Sequence, residues 1–199
     1  MIRSLMKKTG IVGDESGATL VEFGLVAGPF LLMLLGIMDL GYRGYVDTVS
    51  ESVLHRVARD ASIGGMTQAE IEQQVTDGLD DLVLNNAVIT VTTESYFDFT
   101  NIGKPEKLTS DNNRNGEVDA GDCFIDNNGN GVFDTDLGVR GTGGPDDIVN
   151  YEIEIVSPRL FPLASMIGLD ETMTISNRTA VRNQPYGAQV ELVETCLAS

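Results

Sequence analysis

Between Phe23 and Met38 the chain carries no charged residue, and Glu22 stands alone just inside the start of that run. Wound as an α-helix the run is about 24 Å long. Counting Ala18 to Val21 as well, it approaches the ~20 residues that a bilayer crossing requires. An unpaired carboxylate at that boundary costs about 2.5–3.5 kcal/mol on insertion scales, so Glu22 calls for a partner. A plain membrane anchor, with Glu22 reaching to the interface, is the simpler alternative. A chain of 199 residues with one such segment has room for one modest folded domain beside it.

The flanking charges orient the segment. Arg3, Lys7 and Lys8 precede it, and Arg43 is the only base close behind it. Basic flanks stay in the cytoplasm, so the N-terminus is expected inside and everything after about residue 40 outside. The apolar run follows Gly17 instead of preceding it, so residues 1–17 read as a short basic leader and not as a secretory signal. The remaining composition narrows the function. A net charge of −17, with 13 Lys and Arg against 30 Asp and Glu, argues against nucleic-acid binding, which draws most of its affinity from basic groups. With one His, no nucleophile motif and no phosphate-cradling glycine loop, the chain is not expected to be an enzyme. The paired acids Asp80-Asp81 and Asp146-Asp147 read as surface charge.

Beyond Asp39 the helix is expected to continue to Gly64-Gly65. Val46, Val49, Val53 and Val57 recur at helical spacing, with Tyr42 and Tyr45 one turn earlier. His55 falls on the polar side. Pro29 should bend the membrane part, and Gly24, Gly28 and Gly36 thin one side of it for close helix packing. A second helix begins at a capping box, Thr67 with Glu70, stapled by Met66 and Ile71, and shows an apolar face of Ile71, Val75, Leu79, Leu82 and Val83. Ala87–Thr93, Ile148–Val156 and Thr172–Val181 have strand character, and Pro158–Ile167 reads as a short helix or an apolar loop. The expected fold is α+β: a long membrane-spanning helix over 18–64, then an extracytoplasmic domain over 65–199 with a mostly antiparallel sheet, interrupted by an acidic insertion over 109–147.

The basic leader, Gly17 and the Glu five residues later resemble a class III prepilin cleavage site. The longer run Gly17-Ala18-Thr19-Leu20-Val21-Glu22-Phe23, with Pro29, Leu31-Leu32, Gly36-Ile37-Met38-Asp39-Leu40-Gly41 and Ala58-Arg59-Asp60-Ala61, resembles the TadE family. Near the C-terminus Val181-Arg182-Asn183-Gln184-Pro185-Tyr186 resembles it more weakly. Phe23 stands where the cleavage motif often has Tyr. The resemblance implies a pilin-like fold and a minor pilin or pseudopilin of a tight-adherence (Flp) pilus, held in the inner membrane. It implies cleavage between Gly17 and Ala18 by a prepilin peptidase, an assembly platform and other pilins as partners, and for Glu22 a pairing with a neighbouring subunit's new N-terminal amine.

The insertion holds a repeat. Asp111, Asn113, Asn115, Gly116 and Asp119 align, 15 residues on, with Asp126, Asn128, Asn130, Gly131 and Asp134. Oxygen side chains at loop positions 1, 3, 5 and 9 with Gly at 6 make the pattern of an EF-hand-type calcium loop. The carbonyls of Glu117 and Val132 would serve position 7. Asp122 takes position 12 of the first loop; in the second that position is Leu137, with Asp136 beside it as the nearest acid. No helix fits between the loops, so they resemble dockerin or thrombospondin-type loops, with Ca2+ as the expected ligand. A turn-rich acidic insertion without metal is the alternative, because Asn, Asp and Gly also favour turns. Cys123 and Cys196, placed outside the cytoplasm, are expected oxidised, to each other or to another subunit. Two functional classes follow: a pilus-assembly component, or a membrane-anchored calcium-binding module unconnected with pili.

Overall fold

The computed structural model describes residues 16–84, 86–161, 168, 170–189 and 191–198. Residues 1–15 of the leader, with Arg3, Lys7 and Lys8, lie outside the described residues, as does most of Pro158–Ile167.

One helix, α1 (Ser16–Ser62), runs 47 residues without interruption, with Pro29 inside it. Its apolar first part is exposed, from Leu20 and Phe23 to Met38 and Leu40, and it is long and apolar enough to cross a membrane. In its second part Val46, Val53, Leu54, Val57, Ala58 and Ala61 are buried, a stripe recurring at three and four residues that faces the rest of the chain. Tyr42 packs on this stripe, whereas Tyr45 is 56% exposed. Three residues further on, Tyr45 falls off the stripe that Tyr42, four before Val46, belongs to. Helix α1 stops at Gly64 and Gly65, both at φ +94°, a conformation open to residues lacking a Cβ.

Helix α2 (Gln68–Leu79) starts on the expected capping box. Thr67 accepts from the Glu70 N–H, and the Glu70 carboxylate accepts from the Thr67 N–H at 2.7 Å. Ile71, Val75 and Leu79 are fully buried against α1. The Thr67 N–H, then the Thr67 hydroxyl, donate to the Glu70 carboxylate and hold it below its usual range.

The main sheet is antiparallel in the order β4-β1-β5-β6, from β1 (Val88–Tyr96), β4 (Val139–Arg140), β5 (Ile148–Pro158) and β6 (Thr172–Arg182). Alternation decides its faces: Tyr151, Ile153 and Ile155 of β5, with Met173 and Ile175 of β6, turn to the helices, and burying each such side chain contributes about 1.5–3 kcal/mol. A smaller sheet, β2-β3-β7, comprises β2 (Lys107–Ser110), β3 (Cys123–Asp126) and β7 (Val193–Cys196). The reading of the residues held the three long strands and none of the four short ones.

Contacts along α1 set a direction for the head. Asp39 meets Arg159, just past β5, while at the far end the Gln184 N–H donates to Ser62 O at 2.9 Å. The Tyr186 ring lies against Gly64, so close that a Cβ there would meet it at 3.0 Å. Asn183 ties the same end together, donating to Thr142 O and Gly144 O at 2.8 and 2.9 Å. Asp147, read as surface charge, is a structural acceptor, bonded by Gly144 N–H and the Gln189 side chain. Strand β1 ends at this distal end, and the smaller sheet lies beyond it.

Candidate functional site

Loop 1 joins β2 to β3, and loop 2 leaves the end of β3. Phe124 is fully buried and meets Phe133 edge-on, ring centroids 5.5 Å apart, so the insertion has a small core of its own. A disulfide joins Cys123 to Cys196, which face each other in the β3–β7 register.

The two loops share one hydrogen-bond scheme. In loop 1 the Asp111 carboxylate accepts from Arg114 N–H and, at 2.9 Å, from Gly116 N–H. In loop 2 Asp126 accepts from Gly129 N–H at 2.6 Å and Gly131 N–H at 2.8 Å. The oxygens of Asn113 and Asn115 take the N–H groups two residues on, as do those of Asn128 and Asn130. The side-chain amides of Asn113 and Asn115 donate to one oxygen of Asp119 at 2.8 and 2.7 Å; those of Asn128 and Asn130 donate to Asp134 at 2.7 and 2.8 Å. The bonds from Asn113, then Asn115, hold the Asp119 carboxyl below its usual range. Gly116 and Gly131 sit at φ +77° and +74°, the left-handed turn that position 6 needs. At the fourth position Arg114, at φ +58°, stands where loop 2 has Gly129.

Closure is where the structure departs from the expectation. Asp122, 1% exposed, closes loop 1 by accepting from Asn112 N–H and Asp119 N–H, both at 2.9 Å. The equivalent groups of loop 2, Asn127 N–H and Asp134 N–H, go to Glu106, at 2.8 and 3.0 Å. Glu106 is 3% exposed and lies before both loops. Asp136, offered above for this place, turns away: it accepts from Gly138 N–H and stands beside Tyr96. Leu137 is buried with Tyr96 and Ile148. Burial, then Glu94, pushes the Tyr96 phenol up. Loop arithmetic does not find Glu106, because its signal is strand pairing. The β2–β3 register sets Lys107 opposite Ile125, which brings the preceding Glu106 to Asp126.

By type, each loop carries two or more carboxylates and two Asn oxygens, groups of the kind a hard cation takes. Each Asn oxygen has accepted one N–H and keeps a second lone pair. Among the described residues no three His, Cys, Asp or Glu side chains converge on one point. Glu117 and Val132 are exposed, and their N–H groups bond to Asn115 and Asn130.

Of the residues expected to take part in processing, Gly17, Glu22 and Phe23 are exposed on α1, and Ala18 lies in the same helix. Residues 17–61 match the family model for TadE-like protein. That match coincides with α1 and ends before both loops of the insertion. No curated protein and no solved structure matches the chain.

Proposed function

We propose that this chain, an exposed apolar helix with a TadE-like domain over residues 17–61 and a head bearing twin loops, is a minor pilin or pseudopilin that takes part in assembling a tight-adherence pilus. The observation that carries the reading is α1 itself. It leads unbroken from an apolar part exposed on all sides, with Glu22 as its lone acid, into the core of the head. Removal of the leader at Gly17 would put an amine within one and a half helical turns of Glu22, and a neighbouring copy's amine is the charge that Glu22 lacks in lipid. The partners are other pilins, a prepilin peptidase and an inner-membrane assembly platform, with the head in the periplasm. Co-expression with the cognate peptidase should shorten the chain by the leader in an intact-mass measurement. Glu22→Gln should still insert but fail to support pili. A chain that keeps its leader and leaves piliation unaffected would favour the second reading, an anchored calcium-binding module, to which the position of the loops outside the matched segment lends support.

The same reading includes calcium at the loops. Asp111, Asn113, Asn115, the Glu117 carbonyl, Asp119 and Asp122 would hold one ion, and Asp126, Asn128, Asn130, the Val132 carbonyl, Asp134 and Glu106 a second. Bound calcium would supply positive charge that offsets the crowding of carboxylates. It would stabilise the native state in proportion to its occupancy. The melting temperature should rise with calcium and not with equal magnesium, whose octahedral shell suits these loops poorly. Asp111→Ala with Asp126→Ala should remove the shift, and a flat calcium titration of the wild type would leave the loops as plain turns.

A further inference from the structure

No linker separates the apolar part of α1 from the head. Asp39 is the first charge after the uncharged run, and the head takes both its oxygens: Arg159 Nη1 donates at 2.9 Å and Leu160 N–H at 3.1 Å. The ion pair is largely shielded, its side chains 13% and 14% exposed. Arg159 is held in turn by Asp170 O, which accepts from Nε at 2.8 Å. One turn further along α1, Tyr42 Oη donates to Leu82 O at 2.9 Å, so the chain after α2 reaches the same level.

These bonds fix a depth. A bilayer's headgroup layer is about 5–8 Å thick on each side. Asp39 lies about 1.5 Å beyond the last uncharged residue and Tyr42 about 6 Å beyond it, at the rise of an α-helix. Groups bonded directly to these two residues therefore stand within the headgroup layer. This end of the head carries apolar residues, with Leu160, Phe161 and Leu84 half-buried and Val88 61% exposed. Arg43, Asp80, Asp81, Asp170 and Glu171, on the neighbouring segments, are exposed.

We propose that this end of the head is a second lipid-contacting surface, with Leu160 and Phe161 entering the polar–apolar boundary beside α1 and the Asp39–Arg159 pair at headgroup level. The proposal rests on α1 spanning the membrane. The chain has no Trp, so single Trp probes report without background. Full-length Phe161→Trp, Leu160→Trp, Phe30→Trp and Phe99→Trp would each be reconstituted in phosphatidylcholine vesicles. Lipid brominated on the acyl chains should quench the probes at 30, 160 and 161 and leave the one at 99, past the distal end of β1, unaffected. Quenching at 30 with none at 160 and 161 would overturn the lipid surface and leave the spanning helix in place. Blue-shifted emission at 160 and 161 that bromine does not touch would mean that protein covers this face, which also overturns it. Loss of quenching at 30 itself would remove the spanning helix and this proposal with it.

Discussion

Glu106 and Asp122 differ in length and stand on opposite sides of the loops they serve, yet each accepts two backbone N–H groups at equivalent loop positions. A buried carboxylate holding two amides leaves both unsatisfied when it is removed, and hydrogen bonds to charged groups are worth about 1.5–3 kcal/mol. Glu106→Ala should therefore cost about 3 kcal/mol in denaturant unfolding, while Asp136→Ala, whose carboxylate is outside the loop scheme, should cost under about 1 kcal/mol. Equal losses would restore Asp136 as the closing acid. Tyr151 gives a second case. Its hydroxyl is buried without a hydrogen-bond partner among the described residues, and burial pushes the phenol up to about 12. An unfolded tyrosine ionises near pH 10. The fold retains the proton that the unfolded chain releases, so this contribution is full below about pH 10 and is lost as pH climbs towards 12. Tyr151→Phe deletes an unpaired polar atom and should leave stability unchanged or raise it by about 1 kcal/mol. In pH-dependent melts it should also lose part of the wild type's decline above pH 10.

At the scale of elements, what could be read from the residues follows the range of the forces involved. The capping box of α2 is a bond between neighbours, and Thr67 with Glu70 announce it directly. The alternation of Tyr151, Ile153 and Ile155 is a property of one segment facing one core. The short strands are different: β4 has two residues and β2, β3 and β7 four each, too few to show a period. Three of them, β2, β3 and β7, exist because β3 is paired on both sides, with one partner, β7, from the chain's far end; β4 is the edge partner of β1. Glu106 was missed for the same reason, as only the β2–β3 register brings it to loop 2. Loop 1 could be read because Asp122 lies within its own twelve residues. The disulfide holds the least local of these pairings, across a sequence separation of 73 residues. Closing a loop of that order stabilises a fold by about 4 kcal/mol in the chain-entropy view. Cys123→Ser with Cys196→Ser should lose up to that amount, and hydrogen exchange should then rise in β7 and β3 while α2 keeps its protection. A uniform loss across the molecule would show the smaller sheet and the main core unfolding as one unit.

On the scale of the whole molecule, the head is held to α1 from Asp39 to Ser62, and Asp39 with Arg159 is the connection nearest the apolar segment. Removing one member of a shielded pair leaves the other uncompensated, at about 3–5 kcal/mol, whereas replacing both with apolar groups is often close to neutral. In thermal melts of the full chain, Arg159→Met should thus be more damaging than Arg159→Met combined with Asp39→Leu. A double variant as unstable as the sum of the two singles would mean that the residues act independently. The unbroken run of α1 from Asp39 to Ser62 also has a mechanical consequence. With no hinge over about 35 Å, this part of the helix is one arm that continues the apolar segment to the far end of the head. A tilt of about 20°, ordinary for a membrane helix, would swing that end sideways by about 12 Å. With the apolar segment in a bilayer, any pull that reorients that segment is transmitted undamped to the far end of the head, and a load on the head returns to the membrane as torque.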